Sequence, residues 1–378
     1  MKFTVLKENL NQGLNFINRV AGKNLTLPIL NNILISVEKN FLNLSATDLE
    51  LGIKYWSLIK TEKEGKITVP AKILSSFINL LPEDKINLEL KNQIININCQ
   101  DYQTKIKGLS AEEFPIIPKI EGSNFIELNC NNFCNGLSQV VDFVVLNQNR
   151  PELSGVYFNF KKNNLTLATT DSFRLAEKVL SFEEKINQDF SFILPQKSVR
   201  EIINIFSEKE GKLRFYFSQN QVLFEYLMTE TPHPQVQIIS RVIEGEYPDY
   251  QGIIPKKYEV QAVLSKEKLL NHIKTAGIFS GKTNEVKIKL TPQKEGIEIF
   301  SQNSESGENQ SFLQGQIKYN SSPKEMEVSF NYRFIIDGLL NIKEPEVIFE
   351  LNGEDGPAAL KPKTDTSYIY IVMPIKSI

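Results

Sequence analysis

The sequence predicts an α+β fold built from three tandem copies of one domain, each with two helices packed on antiparallel sheets. Three observations predict it. The segment FLNLSATDLELGI at 41–53 matches NLTLATTDSFRLA at 164–176, 123 residues on, with Leu42, Leu44, Thr47 and Asp48 opposite Leu165, Leu167, Thr170 and Asp171. A weaker third copy, GIEIFSQNSESG at 296–307, puts Ile297, Ile299 and Asn303 in the same roles. The segments 69–81, 194–206 and 330–342 align without gaps, each an extended end followed by an apolar stripe at helical spacing.

Each third opens on a helix, predicted at 6–20, 128–144 and 264–279. Leu10 and Leu14, Phe133 and Leu137, and Leu269 and Ile273 repeat one four-residue apolar spacing, and Asn or Ser residues ahead of each helix serve as caps. Alternating runs such as ILISV, VYFNF and VKIKL have the period of half-buried strands. Polar turns at Lys39-Asn40, Asn163-Asn164 and Lys294-Glu295-Gly296 close the hairpins. The second helices present Ile73, Phe77 and Leu80 in the first third and Val199, Ile202, Ile203 and Phe206 in the second. Pro70 and Pro195 stand at the strand-to-helix junctions, where a missing N–H costs little. Pro, Gly and charge replace the periodic pattern at 118–125 and 248–258, which gives domains of 1–125, 126–255 and 256–378. A period near 125 residues is far longer than a solenoid repeat, so the unit repeated is a domain.

Composition narrows the function. A chain of 378 residues exceeds one ordinary core, and its 41% hydrophobic and 23% charged residues are those of a well-packed globular protein. The opening MKFTVLKENLNQG lacks a signal-peptide core, and no apolar run approaches the roughly 18 residues that span a bilayer. A cytoplasmic protein without a membrane partner is expected. Cys99, Cys130 and Cys134 are odd in number, and Cys130 and Cys134 lack a nearby Cys/His pair, so buried thiols rather than disulfides or a metal site are expected. A formal net charge of -2 is not that of a simple nucleic-acid binder, although cations can be gathered on one face.

For catalysis the best case is a metal-dependent nuclease using Asp48 and Asp171, since paired acids are what Mg²⁺ sites need. Against it, Thr-Asp directly after a strand is ordinary turn chemistry, and the third copy replaces the acid with Asn303. His233 and His272 lie in unmatched contexts, and no phosphate-binding glycine motif is present. The expectation is therefore no catalytic residue, no cofactor and no metal. Cations, by contrast, recur at matched places. Arg19 and Lys23 end the first helix, Lys274 and Lys282 lie in the last third, and Lys72, Lys197 with Arg200, and Arg333 stand at the starts of the second helices. Lys72, Lys197 and Arg333 share one slot, which points to a surface facing a polyanion.

Beyond these patterns the chain resembles the bacterial DNA polymerase III beta subunit family, the sliding clamps. The resemblance runs from MKFTV through TLPILNNILISV, LSATDLEL, FPIIP, LATTDSFRLA, LPQK and EGEYPDY to the terminal YIVMPIK. It implies a head-to-tail homodimer closing a six-domain ring around double-stranded DNA, with helices lining the hole. Arg19, Lys23, Lys72, Asn147, Arg150, Lys197, Arg200 and Arg333 would then face DNA, and Ile106, Ile278 and Phe279 the dimer interface. The resemblance further implies a groove for short peptides of the DNA polymerase III alpha subunit, the clamp-loader delta subunit, other polymerases and repair proteins. Carried over by position, it comprises Leu153, Thr170, Phe173, Arg174, Leu175, Pro248, Ile253, Asn331, Phe334, Ile371, Met373, Pro374, Ile375 and Lys376. Arg174 is expected on its floor, stem packed and head bonded to backbone. Ser172-Phe173 stand where many relatives have Gly-His, and Lys376 where an arginine is usual. A monomeric three-domain peptide scaffold is the rival that would keep the groove and lose the ring.

Overall fold

The computed structural model describes the chain apart from residues 23–26, 119, 121–124, 146–148, 184–185, 187, 321 and 377–378. Among the described residues are six α-helices: α1 (Lys7–Ile17), α2 (Ala71–Leu80), α3 (Cys130–Val140), α4 (Gln196–Phe206), α5 (Lys266–Ile278) and α6 (Tyr332–Leu340). They come two to each third, as the repeat predicts. The chain divides into two compact units, one of Met1–Asn132 with Arg200–Val242 and one of Phe133–Val199 with Ile243–Ile378. The division cuts the middle third because its strands join two different sheets.

The first unit holds an eight-stranded antiparallel sheet. Its spatial order is Ile126–Asn129, Lys212–Ser218, Gln221–Leu227, Pro234–Arg241, Leu51–Leu58, Phe41–Thr47, Asn32–Glu38 and Gly65–Pro70. A five-stranded sheet runs from Lys60–Lys63 through Lys2–Leu6, Lys85–Lys91 and Ile94–Cys99 to the edge strand Tyr102–Lys107. Leu10, Leu14 and Ile17 of α1 are fully buried, and Gly13 lets the helix lie directly on the Tyr55 ring: a Cβ there would stand 2.3 Å from Tyr55 Cδ1.

The second unit repeats the pattern. Its nine-stranded sheet begins Phe190–Pro195, Gly155–Lys161, Asn164–Thr170, Arg174–Ser181 and continues through Tyr368–Val372, Ala358–Pro362, Glu346–Leu351, Val260–Ser265 and Gln316–Tyr319. Gly155, Asn164 and Arg174 open their strands 123 residues after Asn32, Phe41 and Leu51 open theirs. A four-stranded sheet runs from the edge strand Gly307–Gln314 through Gly296–Asn303 and Glu285–Leu290 to Met326–Asn331. Leu269, Ile273 and Ala276 of α5 and Ile335 and Leu339 of α6 are buried.

Three local expectations need correction. In α2 the buried face is Ala71, Leu74, Ser75 and Ile78, whereas Ile73 is 57% and Leu80 81% exposed and Phe77 is half-buried. The helix is apolar on two sides, so periodicity does not choose between them; buried Val69 runs into it without a loop and sets its phase. Second, the middle hairpin turns on Lys162-Asn163, one residue earlier than expected, with Lys162 at φ 55° as Lys39 is at 51°. Third, side-chain caps are not general. Asn129, Ser265 and Asn331 accept backbone N–H bonds at the starts of α3, α5 and α6, but α1 follows Leu6 with none. Its strand passes straight into the helix.

Packing at Gly13 sets up a test. An alanine gains about 1 kcal/mol of helix propensity over glycine, but overpacking against a buried ring costs about 1–3 kcal/mol. Gly13→Ala is expected to lower unfolding free energy by about 1 kcal/mol in urea denaturation. A stabilised variant would show that α1 does not sit on Tyr55.

Candidate functional site

The turn from Thr170 to Arg174 is built by its own side chains. Thr170 Oγ1 donates to the Arg174 carbonyl at 2.7 Å and accepts from the Ser172 N–H at 3.1 Å. Asp171 Oδ1 accepts from the Phe173 and Arg174 N–H groups at 3.0 and 2.9 Å. Ser172 is thereby held at φ 76°, a left-handed conformation that a non-glycine residue adopts at a cost. Thr47, Asp48 and Leu49 make the same turn, with Leu49 at φ 81°. Asn303 Oδ1 accepts from the Glu305 N–H at 2.7 Å in the third copy. The acids that a nuclease would need are thus turn-formers, and among the described residues no cluster of three His, Cys, Asp or Glu could hold a metal.

Arg174 projects from this turn between two aromatic rings, its guanidinium carbon 4.6 Å from the Phe334 centroid and 5.3 Å from that of Phe143. Its Nε donates to Asp171 Oδ2 at 2.8 Å and a terminal nitrogen to Asp337. The expectation of a head bonded to backbone is therefore corrected: the partners are carboxylates. Burial opposes the charge, but the Tyr370 hydroxyl and the two aspartates outweigh it and hold the guanidinium's pKa above its ordinary value. Phe173, 61% exposed, stacks against Phe334 at 6.4 Å.

The tail is stapled to the same place. Met373 N–H donates to the Phe173 carbonyl at 2.8 Å and Ile375 N–H to the Ser329 carbonyl at 2.8 Å. Met373, Pro374 and Ile375 are half-buried and Lys376 is exposed. Leu175 and Ile371 pair directly across the ladder and lie under the surface with Ala168, Tyr250 and Ala359. Ile254 packs on this cluster, while Ile253 is 47% exposed. Pro248 is half-buried, Leu153 is buried in a 3-10 turn, and Asn331 Oδ1 caps α6 through the Arg333 N–H.

Several participants escaped the sequence reading. Phe143 and Asp337 enclose Arg174. Tyr247 lies flat on Tyr157 at 4.7 Å, and the Tyr250 hydroxyl donates to Glu177 at 2.7 Å. The signal for the tyrosines was present in EYPDY, which reads as a boundary and a family motif without disclosing their contacts.

Of the expected cations, Lys72, Lys197 and Arg333 are each the second residue of α2, α4 and α6, and all three are exposed. Those helices carry no acid in their first turns, whereas α1 and α5 carry Glu8 and Glu267. Arg200 is exposed, Arg19 reaches Glu201 at 3.4 Å and Arg150 pairs with Glu152 at 3.0 Å. Lys23 and Asn147 lie outside the described residues. Ile106 is buried on the edge strand Tyr102–Lys107; Ile278 is 70% exposed and Phe279 half-buried at the end of α5.

Comparison with known proteins covers the whole chain. The N-terminal, central and C-terminal domain models of the DNA polymerase III beta subunit match residues 1–118, 127–249 and 251–376. The beta sliding clamps of Staphylococcus epidermidis and Staphylococcus aureus are each 26% identical over 387 residues, covering all of both chains. In fold, the chain is similar to the DNA polymerase sliding clamp of Bacillus subtilis (TM-score 0.92, 24% identity) and the DNA polymerase III subunit beta of Pseudomonas aeruginosa (TM-score 0.92, 23% identity), again over all of both chains.

Substitutions at two positions test the turn. Arg174→Ala leaves the mostly buried Asp171 carboxylate without its partner and is expected to cost about 3 kcal/mol, with Arg174→Lys restoring only part because the fork is lost. Ser172→Gly removes a left-handed penalty and is expected to add about 1 kcal/mol. Urea unfolding checks both signs.

Proposed function

The chain belongs to the DNA polymerase III beta subunit family, the sliding clamps, and from that premise we propose that two copies close head-to-tail into a six-domain ring around duplex DNA. Its members are processivity factors without catalysis. The chain works without cofactor or metal in the cytoplasm, with domains of 1–125, 126–255 and 256–378; none of its described helices is long and apolar enough to cross a membrane.

One observation carries the DNA-facing part of this reading: the cation in the first turn of α2, α4 and α6. The N-terminal turn is the positive end of the helix dipole, where a cation costs about 0.3–1 kcal/mol. Repeating that cost three times makes sense when a polyanion lies opposite. A ring retains DNA by topology, so diffuse, salt-sensitive and base-blind attraction is sufficient and permits sliding. Arg200, Arg19 and Arg150 join these cations, and the family resemblance adds Lys23 and Asn147, which lie outside the described residues.

Ring closure uses exposed edges. Tyr102–Lys107 and Gly307–Gln314 are unpaired on one side, and unpaired edges recruit strands. Exposed Lys105 and Lys107 on the first complement Glu308 on the second. Ile73 and Leu80 of α2 and Ile278 and Phe279 of α5 supply apolar surface for the same contact, with Ile106 behind the edge.

Around Phe173, Arg174, Phe334 and the Met373–Lys376 tail the chain takes short linear peptides of the DNA polymerase III alpha subunit, the clamp-loader delta subunit, other polymerases and repair proteins. Leu153, Thr170, Leu175, Pro248, Ile253, Asn331 and Ile371 frame this groove. Supporting it, Phe173 is exposed beside a methionine and aliphatic tail, the kind of wall that re-packs around different anchors.

Lys72→Glu with Lys197→Glu places favourable charge at two helix starts, so folding is preserved. The double variant is expected to remain dimeric by light scattering while leaving clamp-loader-charged circular DNA about tenfold faster. Unchanged retention refutes the DNA-facing assignment. Deleting Met373–Ile378 is expected to abolish capture of an alpha-subunit tail peptide while a dimer of the 43.2 kDa chain persists; a monomeric parent protein would leave the peptide scaffold as the better reading.

A further inference from the structure

In the first unit the segment from Ala111 to Ile117 straps across one face of the eight-stranded sheet. Phe114 and Ile117 are buried against Leu223 and Ile239, whereas Ile116 between them is 92% exposed. Beside the strap opens a cleft of about 630 Å³. Its floor is the sheet face bearing Leu34, Phe41 and Trp56, and its wall is Pro115-Ile116-Ile117. His233 lies flat on the Phe41 ring at 4.0 Å and edge-on to Trp56 at 5.7 Å, which fixes the aromatic floor. Exposed Lys39 and Lys66 line the cleft, with half-buried Lys54 donating to the Ile117 carbonyl of its wall at 3.4 Å, against one acid, Glu38, in a chain whose acids outnumber its lysines and arginines, 45 to 43.

We infer that this cleft is a second docking site, for a short extended peptide carrying a large apolar side chain flanked by aspartate or glutamate. An aliphatic wall facing an aromatic floor encloses one apolar side chain, and the lysines complement acids on either side of it. A single nucleic-acid strand fits less well: it needs free aromatic faces for stacking, and here His233 covers Phe41 and Glu38 repels phosphate. The strap itself is a repeated device. Pro115-Ile116-Ile117-Pro118 corresponds to Gly252-Ile253-Ile254-Pro255, with Ile117 and Ile254 packed on the sheet and Ile116 and Ile253 turned out. The inference does not depend on the groove proposed above, which lies in the other unit.

Trp56 is the chain's one tryptophan, so its fluorescence reports this cleft alone. The full-length chain is titrated at low salt with the capped hexapeptide acetyl-Asp-Glu-Leu-Phe-Asp-Glu-amide. A saturable Trp56 change is expected, weakened about tenfold by Ile116→Asp and by Lys66→Glu and weakened again by added salt. Both positions are exposed, so the variants fold, which thermal melting verifies. The response is also expected to survive deletion of Met373–Ile378, separating it from the groove. No saturable change, an equal response to a lysine-flanked Leu-Phe peptide, a tighter response to octathymidylate, or loss on tail deletion would each overturn the inference.

Discussion

One antiparallel ladder, the pairing of Arg174–Ser181 with Tyr368–Val372, underlies the candidate groove. Its register sets Leu175 against Ile371 and Arg174 against Val372, and alternation sends the two pairs to opposite faces. On one face Arg174 meets Phe334, Phe143, Asp171 and Asp337; on the other, Leu175 and Ile371 join an apolar cluster with Tyr250. A slip of one residue would set the arginine among aliphatics and the leucine against Asp171 and Asp337, so the part-buried ion pairs and the apolar cluster specify the same register. The tail then leaves the ladder beside the turn, where the Phe173 carbonyl takes the Met373 N–H.

The first unit contains the same ladder and a different outcome. Leu51–Leu58 pairs with Pro234–Arg241, Gly52 faces Ile239 where Leu175 faces Ile371, and the Glu50 carbonyl takes the Arg241 N–H at 2.9 Å. Leu51 stands where Arg174 does and is buried without a charge. At Gly52 a Cβ would lie 2.8 Å from Ile117, so the strap's isoleucine fills the space that Leu175 fills in the second unit. Leu223, opposite Ile239, replaces the small Ala359. Larger side chains from the strap and the neighbouring strand close this junction from within. Its remaining concavity lies to the side, over Trp56.

The repeat was legible in the sequence because it preserves register: Thr170 and Asp171 share a turn chemistry with Thr47 and Asp48 that depends on five consecutive residues. Helix starts were legible at Pro70 and Pro195 for a similarly local reason. The phase of α2 was not, since Ile73 and Leu80 are as apolar as Leu74 and Ile78 and only the incoming strand decides between them. The partners of Arg174 were invisible. Asp337 is 163 residues away and Phe143 sits in a 3-10 turn, so neither leaves a local pattern beside the arginine. Position in the family suggested the residue; only the ladder and α6 show why its charge can be buried.

Charge partition follows from the same separation of sheets and helices. Lysines on strands are answered by acids on neighbouring strands, as in Lys2 with Glu62, Lys212 with Glu127 and Lys287 with Glu327, or just ahead of one, as in Lys289 with Glu325. Exposed pairs of this kind contribute about 0–1 kcal/mol each to stability, so their larger effect is to cancel the field over the sheets. The first turns of α2, α4 and α6 follow the opposite rule: a cation is added to the positive end of a dipole and no acid is placed within the turn. A net charge of -2 therefore coexists with cations repeated at these helix starts, since acids answer lysines across the strands and none stands in these first turns.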